Sequence, residues 1–232
     1  MTHKIRRSEI NRIIREAEAF FDKFHFVLPP FGRWEPKDFQ ARKSEIGAIV
    51  EAGLGWDITD FGLGDFAGTG LLLFTTRNGR LEELKRGGGM VYAEKAMIAA
   101  KDQVTPNHAH VIKTEDIINR GGGTLVIELH GATDGACDRT KGTTVMCDGI
   151  ARALPPGGRL HLAPGESVTL KPGDWHSFWA EGGDVFVAEV STVNDDATDN
   201  LFEDPAVTRF SGIEEDEAPY RLLVSDYATW LR

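Results

Sequence analysis

A chain of 232 residues with 41% hydrophobic content is long enough to bury a full core, and β-barrels and sandwiches of this size commonly form one domain. Its 36 acidic against 26 basic residues leave a net charge of −10, which excludes the concentrated basic surface of a nucleic-acid-binding protein. No apolar run approaches the roughly 18 residues that span a bilayer and no secretory apolar region follows the basic N-terminus, so a cytoplasmic protein without membrane partners is expected.

Ile10, Ile13, Ile14, Ala17, Phe20, Phe21 and Phe24 recur at helical spacing, so residues 8–24 read as an amphipathic helix capped by Ser8. Lys4, Arg6, Arg7, Arg12 and Arg15 read as its solvated face. Pro36 at a first-turn position, the apolar set Phe39, Ile46, Ile49 and Val50, and Gly53 beyond the end predict a second helix over 36–52. From Leu71 onward, short β-rich runs are punctuated by Asn78-Gly79, Gly87 to Gly89, Gly121 to Gly123, Pro155 to Gly158 and Pro172-Gly173, the cadence of an antiparallel barrel. Gly121 to Gly123 lacks the Lys-Ser/Thr that follows a phosphate loop and reads as a turn. Ala93 to Lys101 is rich in good helix formers and on propensity alone would be helical.

The segment NHAHVIKTEDIINRGGG, residues 107–123, gathers His108, His110 and Glu115, and PGDWH adds His176. Three neutral imidazoles and one carboxylate form the mixed donor set that borderline divalent transition metals favour, with coordination positions left for water or substrate. His108 and His110 at i, i+2 share a face on a strand but lie about 200° apart on a helix, so a strand is predicted. Glu115, an odd number of residues beyond His110, would then face away, and a turn or bulge near Thr114 must intervene. Val168 and Leu170 alternate with polar residues, Pro172-Gly173 turns the chain, and His176 falls at the start of a new strand. His3, His25, His130 and His161 read as structural residues. Cys137 and Cys147, ten apart and without a CxxC, read as free thiols.

The pattern H-x-H-x4-E-x6-G, filled by His108, His110, Glu115 and Gly122, resembles the first cupin motif, and Pro172 to His176 resembles the second. Asp102 stands where the first motif usually opens with Gly, and Ala180 where the second usually closes with Asn; neither position is a metal ligand in cupins. The chain is further similar to D-lyxose isomerases in LPPFGRW at 28–34, GWDITDFGLGDF at 55–66 and YAEKAMIAAKDQVTPNHAH at 92–110. KTEDIINRGGGTLVIEL at 113–129, VNDDATDNLF at 193–202 and IEEDEAPYRLL at 213–223 extend the likeness.

The resemblance implies a mainly β fold, a single cupin-type antiparallel β-barrel (jelly roll) in one domain over residues 1–232. Residues 1–66 would form a helical and loop segment packed outside a barrel of 67–232, with Ala93 to Lys101 a strand despite its propensity. It also implies a divalent metal, usually Mn2+, and interconversion of D-lyxose with D-xylulose, with D-mannose and D-fructose as a second pair. A homodimer is expected. On this reading His108, His110, Glu115 and His176 hold the metal, and Lys113 polarises or protonates oxygen. Glu215, in the acidic run 214–217, moves the carbon-bound proton. Arg221 anchors a substrate hydroxyl or steadies that carboxylate. Two rivals stay open. A cupin dioxygenase would use the same donors for non-haem iron and consume oxygen; a non-catalytic sugar-binding cupin would bind pentoses without turnover.

Overall fold

Two long strands form the spine of the fold, each bent at a bulge and paired with the other over most of its length. The computed structural model describes residues 4–195 and 198–231, so His3 and two residues of the 193–202 segment lie outside it. In chain order the elements begin β1 (Ile5–Arg6), α1 (Arg7–Lys23), α2 (Pro36–Ala41), α3 (Gly47–Glu51), β2 (Gly55–Thr59), β3 (Leu71–Asn78), α4 (Leu81–Arg86), β4 (Tyr92–Ala99) and β5 (Thr105–His110). They continue with β6 (Glu115–Thr133), β7 (Ala136–Asp138), β8 (Thr143–Cys147), β9 (Ile150–Leu154), β10 (Gly158–Leu162), β11 (Ser167–Leu170), β12 (Trp175–Thr192), β13 (Asn200–Phe202), β14 (Ile213–Glu214) and α5 (Tyr227–Trp230). The main sheet runs β2-β3-β4-β12-β6-β11-β8-β9, with β5 on β12, β13 on β5 and β10 on β6.

The architecture is mainly β and cupin-like, with helices outside it. One face of the sheet encloses an interior core that includes Met97, Ile117, Leu125, Ile127, Phe178 and Val187. The other face carries α1, whose Ile10, Ile14 and Phe21 pack with Trp56, Phe74 and Phe186. Strand β4 lies between the two, Met97 and Ala99 facing inward and Ala96 facing the helix. Burial on both faces overrides the helix propensity of this segment. The sheet also starts earlier than residue 67, because β2 pairs antiparallel with β3.

Several local expectations are corrected. The helix over 36–52 is broken into α2 and α3, with Gly47, a poor helix former, opening the second piece. Gly121 to Gly123 lie inside β6 rather than in a turn. At Gly122, with φ 102°, a Cβ would meet the Asp184 carbonyl oxygen at 2.1 Å, so glycine permits the bulge at which the register with β12 shifts. Asp102, in the place of the usual cupin glycine, adopts φ 63°, and its N–H donates to the Ala180 carbonyl at 2.9 Å. Both departures from the motif thus meet at one contact, with Asp in a left-handed conformation it tolerates.

Arg7 is wholly buried, not part of a solvated face. Helix α1 begins at Arg7, and Ser8 does not cap it; the Ser8 N–H donates instead to Asp216 Oδ1 at 2.9 Å. The Arg7 guanidinium donates two bonds to Asp226, at 2.7 and 2.9 Å, and two to Glu215, at 2.7 and 2.9 Å. Together with the parallel pair β1–β14 this locks the N-terminal segment to the C-terminal one. Arg7→Met would strand the buried Asp226 carboxylate, and urea unfolding is expected to show a loss of roughly 3–5 kcal/mol. Glu215→Gln, at a half-exposed carboxylate, should cost about 1 kcal/mol or less. The Arg7 hydrogen bonds hold the Glu215 carboxyl below its ordinary value. Its stabilising effect is therefore present above the unfolded carboxylate pKa and is lost as the pH falls through the folded one. Equal stability of Arg7→Met and the parent protein would contradict this role.

Candidate metal centre and its cavity

His108 and His110 project from β5 onto the inner face, and His176, the second residue of β12, pairs directly across from His108. On the other side of β5, Asn200 pairs with His110 and Phe202 with His108. Glu115, at the start of β6, needs the chain to change face after His110, and a buried carboxylate enforces that change. Asp199 accepts the N–H groups of Val111 at 3.0 Å, Ile112 at 2.6 Å and Lys113 at 3.0 Å, so the turn is wound around one side chain.

The structure brings His108, His110, Glu115 and His176 together, with one donor atom from each lying within 4.8 Å of the others. His108 Nδ1–H donates to the Pro106 carbonyl at 2.8 Å and His176 Nδ1–H to the Asp174 carbonyl at 2.9 Å, which leaves each Nε2 with its lone pair. His110 Nε2 lies 3.1 Å and His176 Nε2 3.4 Å from Glu115 Oε1. All three of these atoms are buried without a hydrogen-bond partner, a state that buried polar atoms rarely tolerate. Burial, then the neighbouring His176 and His110, push His108 well below its ordinary pKa; burial lowers His176 as well. Neutral imidazoles with converging lone pairs are what a divalent transition metal requires, so these residues fit such an ion.

Next to the four donors is a group of buried charges. Lys113 Nζ lies 2.7 Å from Glu115 Oε2 and 3.1 Å from Glu189 Oε1. Lys95 Nζ lies 3.4 Å from Glu189 Oε2 and donates to Asn194 Oδ1 at 2.6 Å. Burial alone would lower the Lys113 pKa and raise those of the carboxyls. The ion pairs outweigh it, raising Lys113 and holding Glu115 and Glu189 below the ordinary carboxylate range. Donors and charges all open into one cavity of about 510 Å³. Leu71, Leu73, Met97, Ile117 and Phe178 supply its apolar wall, and Asp57, Thr59, Asn200, Arg209 and Ser225 add polar groups to its lining.

Lys113 lies in this cavity, but Glu215 and Arg221 do not line it. Glu215 is held by Arg7, and Arg221 Nε donates to Glu18 Oε1 at 2.8 Å, tying the C-terminal segment to α1. Their placement corrects the expected roles, since a proton shuttle and a hydroxyl anchor must reach the substrate. Sequence reasoning missed Glu189, Lys95 and Asp199. A signal existed for two of them, as Glu189 follows the inward Val185 and Val187 at strand spacing and Lys95 precedes the inward Met97 and Ala99. His25 and His161 are exposed, and His130 is buried with Nε2 3.4 Å from Glu128; none of them joins the donor group.

The D-lyxose isomerase family matches residues 5–227. A D-lyxose/D-mannose isomerase of Serratia proteamaculans is 46% identical over 229 residues, which cover 97% of this chain and 98% of that protein. One of Escherichia coli O157:H7 is 43% identical over 226 residues, covering 96% and 98%. Among solved structures, the L-ribose isomerase of Acinetobacter sp. DL28 in complex with L-ribose superposes with a TM-score of 0.59 at 17% identity. That match covers 92% of this chain and 100% of the other, a likeness of fold.

Metal analysis of purified variants tests the donor set. His108→Ala and His176→Ala should lose the bound ion, whereas His161→Ala should retain it at the parent's stoichiometry. Retention in both of the first two variants would remove these residues from the site.

Proposed function

The chain belongs to the D-lyxose isomerase family, and from that premise we propose that it interconverts D-lyxose and D-xylulose, with D-mannose and D-fructose as a second pair. The observation that carries the mechanism is the buried carboxylate of Glu189, which shares Lys113 with the metal-ligating Glu115 inside one cavity. Aldose–ketose isomerisation moves one proton between C2 and C1 and another between O2 and O1, through an enediol. A divalent ion held by His108, His110, Glu115 and His176 supplies Lewis acidity toward the sugar's oxygens.

Glu189 takes the role that the acidic run suggested for Glu215. Lys113 and Lys95 keep it ionised, so it can accept the proton from C2 and return it to C1. Lys113 Nζ lies against one of its oxygens and Lys95 Nζ against the other, which fixes the carboxylate plane. Lys113 stays an ammonium and donates to the sugar oxygen on which negative charge develops. A base set in this way contributes roughly 10²- to 10⁴-fold. Family membership and this acid–base pair favour isomerisation over oxygen activation or binding alone.

The same reading takes manganese as the ion, because an imidazole-rich set suits a softer cation than an all-oxygen site does. It includes a homodimer, supported by exposed apolar residues at Val111, Ile112 and Leu201, and a cytoplasmic location, supported by the free thiols of Cys137 and Cys147.

Glu189→Gln should keep the metal and lower D-lyxose turnover by at least about 10²-fold, since the amide cannot accept the proton. Glu215→Gln should turn over at close to the parent rate. Comparable losses in both variants, or D-xylose used faster than D-lyxose by the parent, would require the assignment to be withdrawn.

A further inference from the structure

Most polar side chains in the cavity wall are engaged by other protein groups. Lys95, Lys113 and Glu189 hold one another, Thr59 Oγ1 donates to the Arg209 carbonyl, and Asp57 and Arg209 lie 3.8 Å apart. Asn200 differs. It lines the cavity half-buried, and its side-chain amide forms no hydrogen bond with any described group of the protein. Thr105 and Ser225 share that state, but Ser225 is exposed and neither side chain carries more than one hydroxyl.

Asn200 is also the residue of β13 that pairs directly across from His110. Side chains opposite one another in an antiparallel pair have Cβ atoms about 4.5–5.5 Å apart and share a face. The free amide therefore stands beside a metal donor, on the cavity side. It can donate and accept at the same time, which suits a hydroxyl group better than a charged or apolar one.

We propose that Asn200 is a specificity-determining residue that reads the configuration of the sugar at C3. The inference rests on the isomerase reading. In that reaction O1 and O2 face the donor cluster, and C2 loses its configuration at the enediol. C3 is then the first stereocentre to survive, and its hydroxyl is the next one along the chain from the donors. D-lyxose, D-mannose, D-xylulose and D-fructose share one configuration at C3. An amide aimed at that hydroxyl binds all four and leaves the epimeric hydroxyl unpaired, and it has no part in the proton transfer.

The test compares the parent enzyme with Asn200→Leu and Asn200→Ser, each loaded with manganese, on D-fructose and on its C3 epimer D-psicose. The preference for D-fructose in kcat/KM should fall at least about tenfold in both variants, through KM more than through kcat, with metal content unchanged. Asn200→Ser decides the matter if Asn200→Leu fails to fold. An unchanged preference in a folded, metal-replete variant overturns the proposal while the parent's activity leaves the isomerase reading intact. A parent enzyme that converts neither D-lyxose nor D-fructose overturns that reading, and this inference with it.

Discussion

The site depends on one ammonium group. Lys113 Nζ lies between Glu115 and Glu189, and all three side chains are almost completely removed from solvent. An unpaired charge at such depth costs several kcal/mol, and two carboxylates facing each other would cost more. The lysine makes the arrangement possible, and it also fixes its geometry. It takes one oxygen of Glu115 and leaves the other, Oε1, among the imidazoles, so the carboxylate presents a single oxygen to a metal. Through its second contact it holds the Glu189 carboxylate at a set distance from the donors.

The backbone serves the same end. Strands β5, β6 and β12 supply all four donors, and strand-borne side chains are held more precisely than loop-borne ones. Two interruptions of regular pairing are needed. The turn wound around Asp199 brings Glu115 onto the face of His110, and the irregularity between Glu181 and Val185 resets β12. His176 and Glu189 are an odd number of residues apart and would face opposite ways on an unbroken strand; past that irregularity both reach the cavity. The tie between Arg7, Glu215 and Asp226 then closes the N-terminal helix over the outer face, away from the chemistry.

How much of this is legible in the sequence follows from how local each signal is. The i, i+2 histidines imply a strand, and the odd step to Glu115 implies a turn; both are present because they depend only on strand periodicity. Helix α1 is similarly local, read from the spacing of its apolar residues. The roles of Glu215 and Arg7 are not, since each depends on a partner more than two hundred residues away. A charge run is visible in the sequence, but its partner is not. Glu189 falls between these cases: its inward position follows from the alternation after Val185, yet the bulge that connects it to His176 depends on glycines that read equally well as a turn. Helix α4 lies between the Asn78-Gly79 and Gly87 to Gly89 turns, in a region whose texture reads as short β-rich runs although its own residues are good helix formers.

The central claim is that a protein carboxylate, rather than a direct shift of hydrogen between carbons, carries the proton from C2 to C1. Turnover of D-lyxose in deuterated water, followed by analysis of hydrogen at C1 of the D-xylulose formed, tests it most directly. A proton held on Glu189 can exchange with solvent before it is returned, so deuterium at C1 is the result the account predicts. Product that keeps only the sugar's original hydrogen at C1, through many turnovers and in both directions, would contradict it.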